Sequence, residues 1–283
     1  MKIVTDESTI IPEEFSEYVE IIPLRLTCGK RDYTGAGHNE ILRAIEEGKY
    51  FKTGMPSPAI FLEVYRKYKN DKVISVHVSS KISGVINSAI TASKMARKEG
   101  IDVVVVDSKS AGPACGIGIM RGIRYYESKK RTTIQKVAKV IAESAQKSYA
   151  VMAVPESHRL IKIRPIEGLK RFFKNPDYFV KFLRSRGGFP VLALIGEGIH
   201  IIEFAREKSK ALEYMINFLK EKTKNKRISI MYFYSTEKRF IYDLEELIEN
   251  DFEIKNKWIA RMTPVTLSAV GRYAFGFSFY IDE

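Results

Sequence analysis

The chain has 283 residues, 45% of them hydrophobic, with 47 Lys and Arg against 34 Asp and Glu, a formal net charge of +13. That length and apolar content exclude a disordered or fibrous chain and suit one large or two medium domains, two being the expectation. No apolar run approaches the roughly 18 residues that cross a membrane, and Met1 leads straight into the strand-like KIV segment, so a cytoplasmic, non-membrane-spanning protein is expected.

In chain order, KIVTD at 2–6 and VEIIPLRLT at 19–27 are β-rich runs. NEILRAIEEGK at 39–49 and SPAIFLEVYRKYKN at 57–70 carry apolar residues at helical spacing. DKVISVHVS at 71–79 and IDVVVVD at 101–107 are nearly continuous apolar runs, the pattern of parallel strands covered by helices on both faces. Thr132 and Thr133 then cap one more helix, which ends near Ser148. Cys28 and Cys115 are far apart and form neither a disulfide framework nor a C-x-x-C pair, so both are read as free, buried thiols.

From YAVMAVPES at 149–157 the character changes. A basic helical stretch, LKRFFKNPDYFVKFLRSR at 169–186, precedes FPVLALIGEGIHIIEFA at 189–205, two β runs around a Gly-Glu-Gly turn that read as a hairpin. A long helix from Glu207 to Thr223 follows, then the strand RISIMYFYS, the helix EKRFIYDLEELIEN and a last strand, AFGFSFYID. The expected fold class is α/β with two α/β domains: residues 1–150 on a mainly parallel sheet and residues 151–283 on a mixed sheet.

The positive charge raises the question of a polyanion partner. Lysines are dispersed over helix faces and interleaved with Glu, as in ALEYMINFLKEKTKNK, and no aromatic-basic signature accompanies them, so no specific nucleic acid is expected.

Ligands of open parallel sheets bind beyond the carboxyl ends of the strands. There the chain places Thr5-Asp6-Glu7-Ser8-Thr9 after KIV, Ser79-Ser80-Lys81-Ile82-Ser83-Gly84 after VISVHV, and Asp107-Ser108-Lys109-Ser110 after VVVV. Such residues serve as helix caps and turn formers, most plainly at Ser57-Pro58, where Ser is an N-cap and Pro the first helical residue. They also suit an anion site, in which a hydroxyl and a Gly sit at an open helix N-terminus, and Ser83-Gly84 fits this best. The residues alone leave both readings open.

Other chemistry has little support. There is no G-x-x-x-x-G-K-[ST] loop and no G-x-S-x-G elbow, and the glycines of GPACGIGIMRG read as a close-packed helix start. His38, His77, His158 and His200 lie far apart without ligand-like spacing, and His77, inside an apolar strand, reads as a satisfied core histidine. No metal or cofactor is expected.

The segments IVTDES, IIPLRLTCGKRDYTG, FKTGMPSPAIF, VSSKISGVINSA, VVVVDSKSAGPACG, ISIMYFYS, MTPVTLSAVG and AFGFSFY resemble, in order and spacing, the signature segments of the DegV family of fatty-acid-binding proteins. The resemblance implies a long-chain fatty acid such as palmitate in a cleft between two α/β domains, its acyl chain buried. It also implies a non-enzymatic carrier that presents the acid to a fatty acid kinase for phospholipid synthesis. The Thr of the T-x-x-P-S-P loop and the Ser before Gly in S-S-x-x-S-G correspond to Thr53 and Ser83, which with Gly84 are the expected carboxylate-binding residues.

Two segments depart from the family pattern. TPVTLSAVGRYAFG has Ala269 where the family carries a His near the carboxylate, and Arg272-Tyr273 where Pro-Gly is usual. SHRLIKIRPI lacks both glycines of the corresponding family segment. Ser80 and Arg272 are therefore candidates for further head-group contacts. The rival readings are a hydrolase of acyl or phosphate esters with Ser83 as nucleophile, and a basic nucleic-acid-binding protein; the first lacks a base within the motif.

Overall fold

The apolar runs of the first half become parallel strands because both faces of the sheet they form are covered. In the computed structural model, which describes residues 1–129, 131–161, 166–167, 181, 183, 187–224 and 226–282, two compact units form. The first comprises Met1–Ala36 with Lys52–Ser148, and the second Gly37–Phe51 with Tyr149–Glu283.

The first unit contains β1 (Lys2–Asp6), β2 (Val19–Ile22), β3 (Arg25–Cys28) and β4 (Arg31–Asp32). After α1 (His38–Glu46), which belongs to the second unit, come β5 (Lys52–Gly54), α2 (Pro58–Lys67), β6 (Val73–His77) and α3 (Val85–Lys98). β7 (Val103–Asp107), α4 (Gly112–Ser128) and α5 (Ile134–Gln146) complete it. The main sheet has the order β2-β1-β6-β7, and every pair in it is parallel. All five residues of β6 are buried, as a strand covered on both faces requires.

VEIIPLRLT, expected as one run, divides at Pro23. Its first half joins the parallel sheet, and Arg25–Cys28 enters a separate antiparallel sheet of order β4-β3-β5. Pro has no N–H to give to a ladder and fixes its own φ, so the strand cannot continue through it. The glycines of GPACGIGIMRG bring α4 against α5: a Cβ on Gly118 would lie 2.7 Å from the Ala145 Cβ, and one on Gly122 would collide with Ile141. Cys115 is buried as expected, whereas Cys28 is only half-buried.

A buried polar chain joins the ends of two neighbouring strands. His77 Nδ1 lies 2.9 Å from Asp6 Oδ2, His77 Nε2 lies 2.7 Å from Ser75 Oγ, and the Tyr65 hydroxyl donates to Ser75 Oγ at 2.8 Å. On the other side Asp6 Oδ1 accepts the N–H of Ser8 at 3.1 Å and the Ser8 hydroxyl. With Nδ1 donating to the carboxylate, Nε2 accepts from Ser75 and Ser75 from Tyr65, so one proton arrangement satisfies every group. Burial pushes the Asp6 carboxyl up, but its bonds to His77 and Ser8 outweigh burial and hold it below the ordinary carboxylate value.

The second unit contains β8 (Tyr149–Ala153), α6 (His158–Ile161), β9 (Phe189–Ile195) and β10 (Gly198–Ala205). It continues with α7 (Lys208–Thr223), β11 (Ile228–Tyr234), α8 (Tyr242–Asp251), β12 (Ile254–Arg261), α9 (Pro264–Val270) and β13 (Phe275–Ile281). Its sheet has the order β10-β9-β8-β13-β11-β12; β11 and β12 are parallel and the other pairs antiparallel, a mixed sheet. Phe275, Phe277 and Phe279, at strand period, lie in one buried cluster with Leu212, Met215 and Leu219 of α7. The turn of the expected hairpin has Gly196 at φ +57°, where a side chain would be strained. The basic stretch 169–186 and the middle of SHRLIKIRPI lie mostly outside the described residues.

Gly37–Phe51 is tied to the second unit by Arg159, a buried cation at the end of α1. Its Nη1 donates to Lys49 O at 2.7 Å and its Nη2 to Ile45 O at 3.1 Å, and its guanidinium lies 4.9 Å from the Tyr50 ring centre. The guanidinium thus gives a charged donor to the Ile45 carbonyl in the last turn, which also accepts Gly48 N–H, and to the Lys49 carbonyl just beyond the helix. At the other end of α1, burial and the charge of Arg261 push His38 down from its ordinary value to about 4. No helix among the described residues is long and apolar enough to cross a membrane.

Two stability predictions follow from these groups. The stabilisation carried by the Asp6 carboxylate is complete above its unfolded value near 4 and is lost as pH falls through its lower folded value. Asp6→Asn is therefore expected to lose about 2–4 kcal/mol at pH 7 in urea unfolding, with the gap to wild type narrowing in acid. A gap that stays constant from pH 7 to pH 3 contradicts this. His38 stays neutral in the folded protein down to about pH 4 but takes a proton below about pH 6.5 when unfolded, so stability falls between those values. Between pH 7 and pH 5 the wild type should lose more stability than His38→Gln, and equal losses would remove His38 from the account.

Candidate functional site

The hydroxyl-rich strand ends of the first unit divide into groups that build the turns and groups that remain available. Ser79 is fully buried and organises the turn after β6. Its carbonyl accepts the N–H groups of Ile82 at 2.9 Å and Ser83 at 3.0 Å, its Oγ accepts Lys81 N–H at 3.1 Å, and its own N–H reaches Ser110 O at 2.8 Å. Ser108 and Ser110 bond to one another, and Thr5 and Thr9 lie 3.0 Å apart. Asp107 accepts Lys109 N–H at 2.9 Å and Ser80 N–H at 3.4 Å. Thr9 also donates to the Cys115 sulfur at 3.8 Å; burial pushes that thiol up to about 12, which leaves it inert as a nucleophile. Most of these residues are therefore structural.

Ser83, Gly84 and Thr53 are the available ones. Ser83 is half-buried and its Oγ accepts Val85 N–H at 3.4 Å, which leaves its own proton to donate outward. Gly84 is the N-cap of α3 and supplies no side chain to that helix start; of the first N–H groups, that of Val85 goes to Ser83 Oγ and that of Asn87 to Gly84 O at 2.9 Å. Thr53 is exposed on β5, opposite Leu26 of β3. The two segments meet through Met55: a Cβ built on Gly84 would lie 2.5 Å from the Met55 sulfur. Pro56 is buried, and Ser57 and Pro58 occupy the N-cap and first helical positions of α2 as expected, although the Ser57 side chain makes no cap bond. Ser80 is exposed beside this turn. Hydroxyls and helix-terminal N–H groups without a fixed cation can hold an anion by hydrogen bonds alone.

Among the described residues, the Ser83 hydroxyl is bonded by Val85 N–H and not by a histidine or carboxylate. His77, the closest histidine in sequence, is fully buried and engaged by Asp6 and Ser75. No group of three or more metal-ligating side chains occurs among the described residues.

The departures at the end of the chain lie in the second unit. Ala269 is half-buried in α9, whose N-cap Thr263 accepts Thr266 N–H at 3.2 Å. Arg272 donates to Glu156 Oε1 from Nη2 at 2.8 Å and from Nε at 3.0 Å, and its N–H reaches Glu156 Oε2 at 3.2 Å. Its carbonyl accepts the hydroxyls of Ser235 and Thr236. Glu156 also takes Arg159 Nε at 3.3 Å. Burial pushes the Glu156 carboxyl up, yet the bonds and charge of the two arginines hold it below its ordinary value. Gly271, at φ +87°, lies against Glu156 so closely that a Cβ would collide with it. Sequence reasoning missed Glu156, Arg159 and the role of Met55; only Gly271 beside Arg272 signals a tight turn there.

Comparison with known proteins matches the same segments. A family model described as uncharacterised protein, DegV family, matches residues 1–282. A DegV domain-containing protein of Staphylococcus aureus strain N315 is 24% identical, over 97% of this chain and 96% of its own. A DegV lipid-binding protein from Thermotoga maritima has a similar structure, with a TM-score of 0.85 at 24% identity, covering 100% of this chain and 98% of its own. A DegV family protein from Eubacterium eligens, solved loaded with heptadecanoic acid, has a TM-score of 0.83 at 16% identity with both chains fully covered, 100% and 100%. With the family model spanning the chain and the fold shared from end to end, this protein belongs to the DegV family.

Proposed function

We propose that this protein binds one long-chain fatty acid, with the carboxylate held by Thr53, Ser83 and the N–H groups at Gly84 and the start of α3. The observation that carries the reading is the contact of Met55 with Gly84, which sets the Thr53 loop against the start of α3, where the N-cap is a glycine that follows Ser83. The solved relatives support it, one described as lipid-binding and one loaded with a fatty acid. A carboxylate held by neutral donors keeps an oxygen free to attack a phosphoryl group, which fits a cytoplasmic carrier that presents its cargo to a fatty acid kinase. The acyl chain supplies most of the affinity: at about 0.8 kcal/mol per buried CH₂, a chain of about 16 carbons gains on the order of 10 kcal/mol before ordering costs.

Ser80 and Arg272 are secondary to this site. Ser80 is exposed and adds a hydroxyl beside the turn. Arg272 is committed to Glu156, a partly buried carboxylate it helps to neutralise.

Ser83→Ala and Thr53→Val are each expected to weaken binding by about 1–3 kcal/mol in a fluorescent fatty acid displacement assay. Unchanged affinity in the double variant would place the head group elsewhere. In the same assay Arg272→Ala should affect a fatty acid and its fatty alcohol alike, while thermal stability falls. A loss confined to the acid would make Arg272 a head-group contact.

A further inference from the structure

We infer that Met55 is an oxidation-sensitive switch on the head-group site, its thioether being converted by hydroperoxides to a sulfoxide that blocks carboxylate binding. The inference rests on the proposed carboxylate site and adds a modification site to it. Of the eight methionines, Met55 is 57% exposed and Met95 41%, whereas Met120, Met152, Met215, Met231 and Met262 are buried. Exposure alone would make Met55 and Met95 equivalent targets. Position separates them: Met55 packs its sulfur on the open face of Gly84, while Met95 lies 11 residues further along α3, about 16 Å down the axis.

The chemistry is a two-electron transfer. A sulfur lone pair attacks one peroxide oxygen, the O–O bond breaks, an S–O bond forms, and the other oxygen leaves as water or an alcohol. The sulfur is oxidised and the peroxide reduced, and a dithiol-dependent sulfoxide reductase reverses the change. The product has a pyramidal, polar sulfur with an oxygen that accepts hydrogen bonds strongly. In reduced Met55 the sulfur lies against Gly84 as an apolar contact. As the sulfoxide it carries a strong acceptor against Gly84, next in the chain to Ser83, whose hydroxyl is a donor proposed for the fatty acid carboxylate. Being tethered, this acceptor competes at high effective concentration. Its added oxygen also has to be accommodated beside a glycine whose hydrogen side is already filled by the sulfur.

The test is fatty acid displacement before and after mild hydrogen peroxide, with peptide mass spectrometry to follow each methionine. Oxidation of Met55 should weaken binding about tenfold or more, and sulfoxide reductase with dithiothreitol should restore it. Met55→Leu, whatever its starting affinity, should show no change on the same treatment, whereas Met95→Leu should lose affinity as the wild type does. Full oxidation of Met55 with affinity changed less than twofold overturns the inference and leaves the fatty acid reading intact. Failure of the reduced protein to bind fatty acid overturns that reading and the inference with it.

Discussion

The hydrogen bond between Asp6 and His77 fixes the end of the first unit on which the proposed site is built. It joins the last residues of two neighbouring parallel strands, in a region with no exposure to water. A buried carboxylate has to be satisfied completely, and here His77 and Ser8 do so from opposite sides. His77 is in turn held by Ser75, and Ser75 by Tyr65. Two residues beyond His77, Ser79 anchors the turn that delivers Ser83 and Gly84. The rigid part of the site is thus buried and polar, and the available part is a small set of donors above it.

This division explains why a short segment carries so many hydroxyls. Ser79 spends its carbonyl and hydroxyl on the turn, and Ser108 and Ser110 close the neighbouring one. Only Ser80 and Ser83 of that segment remain open to an incoming group. A single sequence cannot separate the two kinds, because Ser has the same composition signal whether its oxygen faces a backbone N–H or solvent. The Ser79 oxygens take N–H groups two to four residues on, and what fixes that turn in place, the bond of Ser79 N–H to Ser110 O, comes from some 30 residues away in the chain.

The parallel core was legible because DKVISVHVS and IDVVVVD are too apolar for any strand with a wet face. The hairpin of the second unit and the helices Lys208–Thr223 and Tyr242–Asp251 were legible for similar reasons, whereas the short helices His158–Ile161 and Pro264–Val270 were not read. β12 was not, since IKNKWIAR alternates polar and apolar residues at the sheet edge and lacks a dense hydrophobic run. The excursion of Gly37–Phe51 into the second unit was invisible too. NEILRAIEEGK reads as an ordinary helix, and the buried Arg159 that holds its end comes 110 residues after Lys49. At the altered C-terminal segment, the sequence marked Arg272 as unusual, but its partner Glu156 became evident only through the fold. The family resemblance is what singles out Thr53 and Ser83 for the proposed site, and the fold adds the Met55 sulfur beside Gly84.

The central claim is that a carboxylate and an acyl chain are recognised together. Native mass spectrometry of the delipidated protein tests it most directly, with palmitate and hexadecanol added separately. The account predicts a single mass increment equal to one palmitate at low micromolar ligand, and a much weaker one for hexadecanol, which lacks the charge that the donors hold. A protein that stays at its ligand-free mass with saturating palmitate, or that takes up both ligands equally, would contradict it.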